Sequence, residues 1–97
     1  MNNLIYNAVN ERRLISFNYK GHKRTVEPHT YGVDTNGHVA IRAYQVSGTS
    51  ESGGIPDWRL FHESEIFNLT VLQSTFLTAR TGYVRGDSVF STIYAQV

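Results

Sequence analysis

The sequence predicts a mainly β fold: a small five-stranded antiparallel barrel with one N-terminal helix and a C-terminal arm. The chain has 97 residues, the size of one domain. Of these, 36 are β-branched or aromatic, the residue types enriched in strands, and Leu, Ile, Val and Phe supply 26 residues for one modest core. Apolar residues also alternate with period two through most of residues 14–72, which is typical of half-buried strands that bend into a barrel.

Residues 2–13 are predicted to form the only helix. Asn2 or Asn3 can cap its N-terminus. Arg12 and Arg13 close its last turn, where cations complement the helix dipole. The apolar residues repeat along one stripe: Leu4, Ile5, Ala8 and Val9. Because so short a helix is marginal alone, we expect it to dock on the sheet.

Three strands are predicted to follow the helix. Residues 14–20 alternate apolar and polar, and residues 24–33 form a second strand. Pro28 cannot donate to a β-ladder, so the second strand is expected to be an edge or to carry a bulge there. Residues 34–37 end in Asn-Gly, which favours a tight hairpin into a third strand at residues 38–46.

The second half of the barrel is predicted from weaker signals. A Ser- and Gly-rich loop at residues 47–54 precedes a fourth strand at 57–62, and a fifth strand follows at 67–72. We therefore expect a barrel with its helix over residues 1–72 and a C-terminal extension over residues 73–97.

The extension is too apolar for a free tail, since it carries Phe76, Phe90, Ile93 and Tyr94. Residues 88–96 alternate weakly, as a last strand or a docked arm. The arm is expected to cover its own barrel or a partner's. We predict a homodimer in which residues 88–97 pack on a neighbouring chain, with a monomer whose arm folds back as the competing arrangement.

Composition excludes several function classes. Nine basic and eight acidic residues leave a net charge of +1, so no overall field attracts nucleic acid, although a local basic patch is compatible with it. The absence of cysteine excludes disulfides and thiolate chemistry and fits a cytoplasmic protein. No apolar run is long enough for a membrane helix, so no membrane partner is expected.

The sequence resembles the WYL domain over about residues 4–72. The residues that carry the likeness are Glu11-Arg12-Arg13-x-Ile15-x-Phe17-x-Tyr19, Arg24-Thr25-Val26-Glu27-Pro28-His29-x-Tyr31-Gly32, Asn36 to Tyr44, Trp58-Arg59-x-Phe61 and Ile66 to Leu72. The resemblance implies an SH3-type, Sm-like barrel from bacterial or phage transcription regulation. It also implies a ligand-sensing module for nucleotides or nucleic acid, with a regulator protein as a possible partner.

The sequence departs from the family at three places. The triplet that names the family falls on Val39-Ala40-Ile41, and two family arginines fall on His62 and Glu65. Two cationic groups that a polyanion would contact are therefore missing. No helix-turn-helix precedes the barrel, so we expect a lone WYL-like domain.

The resemblance places ligand contacts on one sheet face. Arg42 and Tyr44 share a strand face, Arg59 is expected nearby on the next strand, and the same ligand-binding set includes His29, Tyr31 and His62. Guanidinium groups clamp phosphates and tyrosines stack on bases. The alternative is a solvated face with Arg42 paired to Glu27 or Glu63, or Tyr44 packed under the helix. Trp58 is a core residue or a stacking platform.

Metal binding and catalysis are not predicted. No two of the four histidines stand two or four residues apart, and no carboxylate completes a ligand set at a motif spacing. No nucleophile elbow, phosphate loop or paired-carboxylate spacing appears. We therefore expect no cofactor and a non-enzymatic, ligand-sensing regulatory module that binds a nucleotide-like anion or a nucleic-acid segment. The alternative is a protein-interaction or homo-oligomerisation module without a small ligand.

Overall fold

A computed structural model describes residues 1–49 and 56–97 and has the predicted mainly β character, with six antiparallel strands and one short N-terminal helix. Most of the predicted Ser/Gly loop, residues 50–54, lies outside the described residues. The elements in chain order are α1 (Asn3–Glu11), β1 (Arg13–Tyr19), β2 (His22–Asp34), β3 (Val39–Gly48), β4 (Asp57–His62), a single 3-10 turn at Glu63–Glu65, β5 (Ile66–Thr75) and β6 (Phe90–Gln96).

Helix α1 begins at the predicted cap and ends earlier than predicted. The Asn2 side chain accepts hydrogen bonds from the N–H groups of the first turn. Arg12 adopts a left-handed conformation (φ 53°) that stops the helix, so Arg13 belongs to β1 and not to the last helical turn. Three of the four predicted stripe residues are buried, whereas Leu4 is 56% exposed.

Strand β2 organises the sheet. The strand order is β4-β3-β2-β1-β5, and β6 also pairs with β2. β3 runs along β2, β1 pairs with residues 22–26 of β2, and β6 pairs with residues 30–34. Pro28 lies between the part of β2 that pairs with β1 and the part that pairs with β6. Its missing N–H therefore interrupts neither the β1–β2 ladder nor the β2–β6 ladder. A register shift against β3 follows Pro28, which confirms the predicted bulge.

The sheet is strongly curled but open. β4 and β5 are the outermost strands of the five-strand order, yet only three residues connect them. Four strand intervals of about 4.8 Å put the outer strands roughly 19 Å apart in a flat sheet, whereas that connection spans at most about 14 Å. The sheet must therefore bend. Across residues 1–49 and 56–97 no β4–β5 ladder closes it, so a closed five-strand barrel is not confirmed.

The hydrophobic core lies between α1 and the concave face of the sheet. Phe61 packs edge-to-face on Phe17 and on Tyr19, each with ring centroids 5.0 Å apart. On β3, Ile41 and Ala43 are buried in this core. Other core residues are Ile5, Ala8, Val9, Ile15, Val26 and Tyr31.

Strand β5 differs from its prediction in two ways. It continues to Thr75, beyond the predicted boundary at residue 72, because Thr75 still pairs with Arg13. Asn68 has a positive φ (55°) at a register shift against β1. This bulge adds a residue and breaks the alternation, so Phe67 is 64% exposed and does not share the inward face of Leu69.

The C-terminal arm packs on its own chain. Phe90 and Ala95 are buried, and Tyr94 contacts Tyr31 with ring centroids 5.3 Å apart. The arm is thus a sixth strand of its own sheet, as in the competing monomer arrangement. The apolar residues that motivated the homodimer find partners within one chain, and the dimer stays a prediction. Among the described residues no helix is long and apolar enough to cross a membrane.

Candidate functional site

The sheet face opposite the core carries four of the six predicted ligand residues, Arg42, Tyr44, His29 and His62, and the chain itself covers much of it. We call this the outer face; it presents Arg42, Tyr44 and Trp58, since Tyr44 pairs with Trp58 across β3 and β4. Residues 76–89, which we call the cover segment, cross this face between β5 and β6. The face is therefore a contact surface with a cleft at one end.

His29 lies buried beneath the cover segment. Its ring stacks on Phe76 and meets Trp58 and Tyr83, with centroids 4.7–5.3 Å apart. Its Nδ1–H donates to the Glu27 carbonyl oxygen at 2.8 Å, and its Nε2 accepts from the Arg80 main-chain N–H at 3.1 Å. Burial is the main cause that lowers the His29 pKa. His29 is thus a buried packing residue of this face, and both of its ring nitrogens are already hydrogen-bonded to the main chain.

An ion pair anchors the middle of the cover segment. Arg80 donates from Nε and Nη2 to the two carboxylate oxygens of Glu27, at 2.7 and 3.0 Å. The Arg80 guanidinium also lies 4.8 Å from the centroid of the Tyr44 ring. Tyr44 thus packs under Arg80 rather than under the helix, and Glu27 pairs with Arg80 rather than with Arg42.

A cleft of about 270 Å³ remains between the outer face and the end of the cover segment. Arg42 lines it, and its Nε donates to Asp87 Oδ2 at 2.9 Å. Its two terminal nitrogens have no hydrogen-bond partner among the described residues, and the side chain is 27% exposed. The residues that line the cleft are Arg42, Trp58, Gly82, Tyr83, Val84, Asp87 and Ser88.

The aromatic walls of the cleft are held in place. The Trp58 and Tyr83 rings lie 22° from parallel with centroids 6.4 Å apart. Trp58 Nε1–H donates to the Thr81 carbonyl oxygen, and the Tyr83 hydroxyl donates to the Val97 carbonyl oxygen. Gly82 lies against the indole with φ +92°, and a Cβ there would come within 3.0 Å of Trp58 Nε1. The site thus offers a guanidinium beside two fixed rings.

Two predicted ligand residues lie on the other side of the sheet. Arg59 pairs with the core residue Ala43, whereas Arg42 pairs with Leu60, so the two arginines point to opposite faces. The expectation that Arg59 lies beside Arg42 is wrong. Tyr31 is fully buried on the core face, donates to the Glu63 carboxylate and accepts from the Asn2 N–H. Burial raises the Tyr31 pKa.

His62 belongs to a different group. It ends β4 on the outer face, with Nε2 3.6 Å from Asp34 Oδ2. His38 Nδ1 lies 3.6 Å from the same oxygen. The carboxylate and the two imidazoles form a set that can hold a metal ion, and none of the three residues lines the Arg42 cleft.

Sequence reasoning missed the residues of the cover segment. Arg80, Tyr83 and Asp87 lie in a stretch without clear periodicity, and their partners are distant in sequence. A signal was present in the apolar residue Phe76, which predicted that this segment covers a surface. No family model, no curated protein and no solved structure matched the chain.

Proposed function

We propose that this chain is a non-enzymatic, cytoplasmic ligand-sensing module of WYL type, and that its ligand is a nucleotide-like anion bound in the Arg42 cleft. The observation that carries the proposal is the cleft itself, in which a guanidinium with two available terminal nitrogens stands beside the Trp58 and Tyr83 rings. Arginine binds phosphate bidentately, and aromatic faces stack on bases. The same side chains therefore suit both halves of a nucleotide.

The strand order supports the WYL-like part of the proposal. A five-strand path with its outer strands joined by one 3-10 turn, preceded by a short helix, is compatible with an SH3-type, Sm-like barrel that is nearly closed. The sequence likeness over residues 4–72 points the same way.

The size and charge of the cleft favour a mononucleotide over a nucleic-acid strand. Its volume of about 270 Å³ lies just below the usual range of about 300–1,000 Å³ for small-molecule sites. Asp87 also neutralises much of the Arg42 charge, and a strand-binding groove needs several cations along its length. A phosphate at the terminal nitrogens of Arg42 shares the guanidinium with the Asp87 carboxylate and is repelled by it. Asp87 therefore lowers the affinity of the cleft for anions.

Trp58 provides a direct assay because it is the only tryptophan and lines the cleft. AMP is expected to change its fluorescence. Arg42→Gln is expected to weaken AMP binding about 10- to 150-fold, the loss of one hydrogen bond to a charged group of about 1.5–3 kcal/mol. Asp87→Asn is expected to strengthen it, because the competing carboxylate becomes neutral.

Arg85→Gln is the matched control. Arg85 is an exposed cation of the same segment that contacts the Val97 carbonyl oxygen and does not line the cleft. Its replacement is expected to leave AMP binding within about twofold of the wild type, a change within the usual range for an exposed surface residue. The proposal is refuted if AMP at millimolar concentration leaves Trp58 unchanged, or if the Arg42 and Arg85 variants bind equally well.

The second candidate function is protein interaction or homo-oligomerisation, and one observation favours it. β5 is an outer strand of the sheet path and exposes Phe67, 64% accessible, beside its bulge. An outer strand with an exposed aromatic residue can pair with a second chain. Light scattering and the AMP titration separate the two candidates. If the protein is a dimer that Phe67→Ser converts to a monomer, and AMP has no effect on Trp58, the interaction function is supported.

A further inference from the structure

Three side chains that commonly bind metals converge at the end of the β2–β3 hairpin. Asp34 ends β2, His38 stands just before β3, and His62 ends β4. Asp34 Oδ2 lies 3.6 Å from His38 Nδ1 and 3.6 Å from His62 Nε2. The three ligand atoms lie within 4.8 Å of one another. The β2–β3 hairpin and the end of β4, which are distant in sequence, thus bring one carboxylate and two imidazoles close together.

We propose that Asp34, His38 and His62 form a binding site for a divalent transition metal ion of the zinc class. Zinc binds imidazole nitrogen and carboxylate oxygen at about 2.0–2.2 Å, so neighbouring ligand atoms of a tetrahedral site are roughly 3.3–3.6 Å apart. The two distances of 3.6 Å from Asp34 Oδ2 meet this requirement, and the three ligand atoms all lie within 4.8 Å of one another. Imidazole ligands favour Zn²⁺ and related ions over Mg²⁺ and Ca²⁺, which prefer oxygen.

The Asp34 carboxylate is already oriented for this role. Its Oδ1 accepts the main-chain N–H groups of Asn36 and His38, each at 2.9 Å. These bonds belong to the tight turn and hold the carboxylate in one orientation. The other oxygen, Oδ2, is left facing the two imidazoles, as a single-oxygen metal ligand requires.

His62 has an acidic partner on its second ring nitrogen. Its Nδ1 lies 3.7 Å from Glu65 Oε2, while Nε2 faces Asp34. The Tyr19 hydroxyl donates to the same Glu65 oxygen at 3.2 Å and accepts the His62 main-chain N–H at 3.1 Å. A carboxylate behind a ligating histidine orients the ring and makes it a better ligand. At 3.7 Å the contact is an ion pair, and a small movement on metal binding would let Glu65 accept the His62 Nδ1–H and act as a positioning residue.

The site is open to solvent on one side and joins two parts of the sheet. Asp34 is 5% exposed, whereas the His38 side chain is 57% exposed, so an ion can enter from the solvent side. Three protein ligands leave one coordination position for water. The bound ion would link the β2–β3 hairpin to the end of β4 and would hold this end of the open sheet together.

The test is calorimetric titration of the full, tag-free chain, stripped with a chelator, with Zn²⁺ and separately with Mg²⁺. One Zn²⁺ per chain and a rise in melting temperature are expected, with no response to Mg²⁺. His38→Gln and His62→Gln are each expected to weaken Zn²⁺ binding at least tenfold, and Glu65→Gln roughly tenfold. Co²⁺ is expected to give the absorption bands of a tetrahedral site.

His22→Gln is the matched control, since His22 lies at the β1–β2 turn and contacts Thr49 through Nδ1 at 2.9 Å. It is expected to bind Zn²⁺ as the wild type does. Equal losses in the His22 and His62 variants, or no Zn²⁺ binding by the wild type, would overturn the proposal. Should His62→Gln fail to fold, the exposed His38 variant decides alone, and wild-type affinity in it refutes the site.

Discussion

Acidification is expected to destabilise the domain through His29. The ring is fully buried beneath the cover segment, and its two nitrogens are satisfied only in one neutral form, with the proton on Nδ1. A second proton on Nε2 would face the Arg80 main-chain N–H, which is itself a donor. Burial is the largest cause of the lowered His29 pKa, and the nearby Arg80 and Arg12 charges lower it further, against the opposing effect of Glu27.

The direction of the pH effect follows from this lowered pKa. An unfolded histidine takes up its proton near pH 6.5, whereas folded His29 does so only at lower pH. Between those values the unfolded chain binds more protons, so stability is full above about pH 6.5 and is lost as the pH falls. One such group contributes at most about 1.4 kcal/mol per pH unit, against a total of about 5–15 kcal/mol for a domain of this size.

Urea unfolding between about pH 8 and about pH 5, followed by circular dichroism, measures this slope. His29→Gln removes the titrating ring and is expected to flatten the dependence, even though it lowers stability at every pH. His22→Gln, which changes a half-exposed histidine outside the cover segment, is expected to keep the wild-type slope. The reasoning is refuted if the wild type is equally stable across this range, or if His29→Gln retains the full slope.

Two further substitutions test how the cover segment is held. Gly82→Ala is expected to cost about 1–2 kcal/mol because of its positive φ, and to shift the Trp58 emission because the new Cβ meets the indole; unchanged stability and emission would contradict this packing. Arg80→Gln is expected to cost about 1–2 kcal/mol, since it leaves the buried Glu27 without its bidentate partner while the exposed guanidinium is partly screened by water. A loss no larger than that of Arg85→Gln in the same unfolding assay would show that this ion pair is not an anchor.

Local patterns predicted most of the sheet. The alternation of Ile15, Phe17 and Tyr19 and the Asn36-Gly37 turn fix individual strands and one hairpin, because they depend only on neighbours in sequence. The departures occur where single residues adopt left-handed conformations. Arg12 ends the helix early although arginine rarely signals such an end, and Asn68 creates a bulge. Asparagine is a residue type that adopts this conformation more often, but one Asn within an alternating pattern does not show that a bulge forms there.

The candidate site was less predictable because it depends on register and on long-range packing. The β3–β4 pairing decides that Arg59 faces the core while Arg42 faces outward, and the intervening loop gives no indication of that register. The same pairing sets His62 opposite Ala40 and so beside Asp34 and His38. A search for histidines at fixed spacings cannot find a site assembled in this way.

The measurement that tests the central proposal most directly is a titration of the protein with AMP, followed residue by residue in its amide NMR spectrum. The single indole N–H, from Trp58, gives a reporter inside the cleft. Binding in the cleft is expected to give progressive, saturable shifts of that signal and of the amides of Arg42, Tyr83 and Ser88, all reduced in Arg42→Gln. Shifts confined to residues outside the cleft, or none at millimolar AMP, would contradict it.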